Sequence, residues 1–143
     1  MNIVLYLSIF IPVILLMSIN FYMKYNDIIL DERGSSAIPV EFREYIILGI
    51  WAILIGFLGY SYYLMRNNIS SVAIIIVIIY SLLYPFITLG KSSIQIESLN
   101  IIYIVITYII FLLVLSENSN AALYILPLLL WITYIFIVSN VLQ

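Results

Sequence analysis

The sequence predicts an all-α integral membrane protein, a compact bundle of five transmembrane helices with one long loop after the first. Three observations carry that expectation. Of 143 residues, 66% are hydrophobic and only 8% are charged, whereas a water-soluble domain carries roughly 25% charged residues. The mean hydropathy is +1.24. Apolar runs long enough to span a bilayer, which takes about 20 residues, occur five times, at 3–23, 45–65, 72–89, 99–115 and 121–141. Short polar connections make sequential neighbours antiparallel, so residues 1–143 form a single domain.

The run at 3–23 lacks the basic leader, short apolar core and small-residue cleavage site of a signal peptide. It is read as a retained helix with a bend at Pro12, and with no targeting segment recognised the expected location is a prokaryotic plasma membrane. Residues 24–44 hold eight of the charged residues: Lys24, Asp27, Asp31, Glu32, Arg33, Glu41, Arg43 and Glu44. The stretch reads either as a solvated linker or as a lid from which Phe42 projects into the bundle mouth, since loops this long are often functional. From Pro39 onward a short helix fits, with Pro39 in its first turn. Lys24, Arg33, Arg43 and Lys91 fall on one side of the bundle and Arg66 on the other. By the positive-inside bias, the long loop and the C-terminus are cytoplasmic.

The run at 45–65 has two faces. Gly49, Ala52, Gly56 and Gly59 recur at helical spacing as a small-residue stripe that lets membrane helices approach closely. It serves packing within the bundle or, alternatively, a dimer seam. Beside it lie Trp51, Ile55, Leu58 and Tyr62. The run at 72–89 carries Tyr80-Ser-Leu-Leu-Tyr84-Pro85-Phe86, two deep phenols and a kink. The last run sets Pro127 four residues before Trp131, one of only two tryptophans. Positions 127, 131 and 134 or 135 share one helical face, and Pro127 cannot donate to the carbonyl of Leu123. Of the thirteen tyrosines, Tyr22, Tyr25, Tyr60, Tyr62, Tyr63 and Tyr124 lie near helix ends as interfacial anchors. Tyr80, Tyr84 and Tyr134 lie deeper and need hydrogen-bond partners or a cavity. Two kinks, two indoles and deep phenols together predict a flat, aromatic-lined pocket shared by Trp51 and Trp131. A core filled by generic aromatics is the competing reading.

Several functions are excluded or weakened. Cysteine and histidine are both absent, which removes thiol nucleophiles, Ser-His triads, Cys- or His-based zinc sites and histidine-ligated haem. No metal site and no catalytic residue is assigned. No Asp, Glu, Lys or Arg lies mid-span, against ion-coupled transport and conventional acid–base chemistry. Ser81, Thr88, Thr107 and Thr133 are too few for a polar path. No basic patch points to nucleic acid.

The pattern resembles the translocator protein family, the tryptophan-rich sensory proteins of prokaryotes and their mitochondrial relatives. The family's second helix reads W-T-x-L-Y-x-x-M-G, and Trp51, Leu54 and Gly59 match it. Its fifth helix reads A-A, then P-Y-L-x-W and an aromatic; Ala121, Ala122, Pro127, Trp131 and Tyr134 match, with Leu128 for the family's Tyr. Of the third-helix pattern N-x-x-W-S-P-x-F, Pro85 and an aromatic neighbour remain, with Leu83 where a Trp would stand. Pro39 stands alone where the family has W-x-P-P, Asn100 is neutral where the family is acidic, and Ser139 replaces an Asn. The resemblance implies a homodimeric membrane receptor or carrier for flat hydrophobic ligands, porphyrins such as protoporphyrin IX or sterol-like molecules. No cofactor is required, and membrane lipid surrounds the bundle. Trp51 and Trp131 would be ring-stacking walls, with Ile55, Tyr80, Tyr84, Pro85, Pro127, Tyr134, Ile135 and Phe42 around them. The porphyrin breakdown proposed for some members uses pocket tryptophans, one of which is missing here. The alternative is a non-catalytic accessory or structural subunit of a larger membrane complex, and a third is a passive transporter.

Overall fold

A computed structural model describes residues 2–26 and 40–141, with the backbone alone over 40–44. The chain folds as α1 (Ile3–Tyr25), α2 (Val40–Met65), α3 (Ser71–Thr88), α4 (Ser93–Glu117), α5 (Ser119–Leu123) and α6 (Leu126–Val141). No strand occurs among the described residues. With α5 and α6 counted as one interrupted span, five helices are long and apolar enough to cross a membrane, an architecture compatible with an integral membrane protein.

Both ends of the expected long loop move inward. Helix α1 runs on through Lys24 and Tyr25, and α2 starts at Val40 instead of Tyr45. The charged segment Glu41–Glu44 is therefore the first turn of a spanning helix, and a loop over 24–44 is not borne out. Hydropathy marks where a helix enters lipid, not where its hydrogen bonding begins, so charged end turns escape it. Residues 27–39, on which the lid reading fell, lie outside the described residues.

Helix α4 likewise starts six positions before the expected apolar run. Ser92 Oγ accepts from the Gln95 backbone N–H, and the Gln95 side chain accepts from the Ser92 N–H, a capping box that satisfies two otherwise orphaned donors. The preceding turn reverses the chain with Gly90 at φ +70 and the Lys91 N–H bonded to the Thr88 carbonyl at 3.2 Å. Positive φ there is a glycine's position.

Helix α2 is central, flanked by α1, α3 and α5, while α4 joins α3 to α5 and α6. The core gathers Leu54, Leu58 and Met65 of α2, Ile74 and Val77 of α3, Ile110 and Val114 of α4, and Ile125, Leu128 and Ile132 of the last span. Large apolar side chains on the outside of all five spans, among them Ile14, Phe21, Ile53, Ile76, Ile109 and Leu130, are exposed. Such a surface suits hydrocarbon and not water. Helix α1 is the most peripheral, burying only Pro12, Leu16 and Met23.

The Gly56 and Gly59 part of the small-residue stripe is spent within the bundle. Gly59 lies directly against the α1 backbone at Ser8 and Ile9, and Gly56 faces Ile9 and Val13 in ordinary contact, both 3.8 Å from where a methyl would stand. Gly49 meets nothing. Pro12 has no N–H for the Ser8 carbonyl four residues back. That carbonyl, left without its four-residue donor, is the group Gly59 faces.

Candidate functional site

Residues expected to surround one pocket divide into three groups. The first is core. Ile55, one turn beyond Trp51, is 0% exposed and packs among the buried cluster. It is a structural residue with no face left to offer a ligand.

The second group is a hydroxyl-rich seam between α3 and α4. Tyr80 donates to the Leu99 carbonyl at 3.1 Å, and the Tyr84 hydroxyl donates to Asn100 Oδ1. Ser81 and Tyr103 hydrogen-bond to each other through their hydroxyls. The Tyr80 ring lies 4.8 Å from that of Tyr103, and Tyr84 lies 5.7 Å from it. Thr107, fully buried below them, donates to the Tyr103 carbonyl of its own helix at 2.7 Å. Tyr80 and Tyr84 thus take the first of the two options open to them, bonding across helices, whereas Tyr134, expected to lie deep as well, is exposed on the outside of the bundle. Pro85, half-buried, sits in α3 without ending it. Tyr103 escaped the sequence reading, although Asn100, Tyr103 and Thr107 recur at i, i+3 and i+7, one face of a helix.

Removing the Tyr84 and Asn100 groups singly and together (Tyr84→Phe, Asn100→Leu) should give a coupling energy of about 0.5–1.5 kcal/mol, the range for interhelical hydrogen bonds in membranes. Equilibrium unfolding in mixed micelles measures it. Zero coupling would mean that the pair carries nothing.

The third group lies on α6 and α2. The span over 121–141, expected to kink at Pro127, is interrupted upstream at Tyr124 and Ile125, and Pro127 falls in the first turn of α6. A proline costs little there, because first-turn N–H groups lack intrahelical acceptors. Trp131 is half-buried on α6, its ring 5.9 Å from that of Tyr134. Tyr134 is 53% exposed, and Ile135 is half-buried. Trp51 is half-buried on α2 and touches the same core cluster as Trp131. Yet α6 packs against α4 and makes no comparable face with α2. The two indoles flank one core without stacking on each other. Phe42 lies in the first turn of α2, and its side chain is outside the described residues.

One atom in this third group stands out. The Trp131 Nε1–H is buried with no hydrogen-bond partner, the sole buried side-chain nitrogen or oxygen so placed among the described residues. Buried donors are nearly always paired, and leaving one unmade costs about 1–3 kcal/mol. Among the same residues, no three His, Cys, Asp or Glu side chains come together as metal ligands would. The arrangement offers stacking surface and one donor. No family model, curated protein or solved structure matches the chain.

Proposed function

We propose that this chain is an integral membrane protein that holds a flat, lipophilic ligand against Trp131 at the edge of the bundle, with Trp51 on the neighbouring wall. The observation that carries this reading is the unpaired Trp131 indole N–H beside a half-exposed ring and the exposed Tyr134. A planar molecule would stack on the exposed part of the ring, and one bearing a carbonyl or carboxylate would accept from Nε1 once the side chains covering that atom move aside. Porphyrins have that chemistry, and the resemblance of Trp51, Pro127 and Trp131 to translocator protein motifs supports the same class. By that resemblance the unit would be a homodimer. The Lys and Arg distribution supports placing the C-terminus in the cytoplasm.

Protoporphyrin IX titrated into detergent-purified protein tests this, followed by indole quenching and by the porphyrin's own absorption. Saturable binding is expected at micromolar ligand, weakened about tenfold by Trp131→Phe, which keeps a ring and deletes the donor, and less by Trp51→Phe. An absence of saturable binding overturns the reading.

A second reading has its own support. Ile55, Leu58 and Leu128 fill the centre, and Tyr80 and Tyr84 are committed to α4, as in an accessory subunit with no ligand of its own. On that reading the native chain co-purifies with a larger membrane complex in fixed proportion.

A further inference from the structure

We infer that the break between α5 and α6 is a hinge, on which α6 swings relative to α2 and opens the side of the bundle between them. The hinge stands independently of the ligand reading. Its first part is the local hydrogen bonding. Tyr124 N–H turns back to the Ala121 carbonyl at 3.2 Å and Ile125 N–H to that of Ala122 at 3.0 Å, both three residues back. The four-residue ladder resumes at Leu129 N–H, 3.2 Å from the Ile125 carbonyl. Between them stands Pro127, which has no N–H for the Leu123 carbonyl. A helix whose ladder is interrupted this way bends there at little cost, because the bonds that would resist are already gone.

The second part is what each side of the break is fixed to. The short helix α5 is pinned to α2: Ser61 Oγ donates to the Ala121 carbonyl at 2.9 Å. The Tyr124 ring stands edge-on to Tyr60 at 4.6 Å and to Phe57 at 5.8 Å. Asn118 caps α5, its side chain accepting from the Asn120 and Ala121 N–H groups. Beyond the break, α6 rests on α4 and lacks a comparable face with α2. One side of the break is therefore held to both α2 and α4, and the other chiefly to α4, meeting α2 only through core side chains such as Leu128 and Ile132. Hinges of this kind are a few element-terminal residues that absorb the backbone change.

Spin-label distances test the hinge without any ligand. The sequence contains no cysteine, so Ile46→Cys with Ile137→Cys places labels on exposed positions of α2 and α6. Ile46→Cys with Leu83→Cys serves as the α2–α3 reference, also exposed. The α2–α6 distribution is expected to be at least about twice as wide as the reference. Pro127→Ala, and independently Pro127→Leu, restore the N–H and should narrow it to the width of the reference, leaving the reference itself unchanged. An α2–α6 distribution no wider than the reference in the native chain overturns the hinge. So does a folded Pro127 variant whose α2–α6 width stays as it was.

Discussion

Replacing Gly59 by alanine is expected to destabilise the bundle by about 1–3 kcal/mol, and replacing it by valine by more, because overpacking a closed seam forces backbone to move. A methyl at Gly59 would stand 2.9 Å from Ile9 Cα and from the Ser8 carbonyl carbon, and closer still to the Ser8 oxygen. These are main-chain atoms with no rotamer to yield. The same substitution at Gly56 meets only two side-chain methyl groups at 3.8 Å, and at Gly49 it meets open space. Gly56→Ala and Gly49→Ala should therefore be nearly neutral or slightly stabilising, since alanine also favours the helix by about 1 kcal/mol. Thermal unfolding of the three variants in one detergent reads the order. Equal costs at all three positions would show that the seam with α1 is looser than the structure has it.

That seam also shows what the sequence made legible. Pro12 reads as a bend and Gly56 and Gly59 read as a close-packing stripe, each from its own helix. Their meeting, carbonyl against glycine, belongs to no single stretch. The five spans were legible because hydropathy is a property of a window of residues. The ends of α2 and α4 were not, because charged turns prolong a helix without raising its hydropathy, although Ser92 and Gln95 carried a readable cap.

The candidate site divides along the same line. Helical spacing correctly puts Trp131 and Tyr134 together, since residues three apart on one helix are neighbours. It cannot say whether a face meets another helix, a hydroxyl or lipid. Tyr80 and Tyr84 found their partners on α4, at Leu99 and Asn100, a pairing fixed by the tertiary register of two helices. Trp51 and Trp131 depend on how α2 and α6 sit, and an interrupted span sets α6 against α4 instead. The interruption itself was half legible. Pro127 announces a break, but proline favours the first turn of the helix that follows it, so the disruption lies upstream at Tyr124 and Ile125.

Ile55→Ala should cost about 2–5 kcal/mol of stability, the range for truncating a fully buried aliphatic side chain, while Ile135→Ala should cost distinctly less. Ile55 is completely enclosed, and its removal leaves a void next to Leu54, Leu58 and the facing core residues of the other spans. Lipid does not fill such a void, so both the lost contacts and the cavity term remain. Ile135 is half-buried beside Trp131 and has less contact to lose. The pair separates two meanings of a residue beside a tryptophan. Once stability is corrected for, Ile55→Ala should leave protoporphyrin IX affinity unchanged, and Ile135→Ala should lower it about two- to fivefold through lost apolar contact. Unfolding midpoints and porphyrin titrations on the same preparations give both quantities. A selective loss of affinity in Ile55→Ala, with stability intact, would move the ligand from the edge of the bundle into its centre and overturn the assignment of Ile55 to the core.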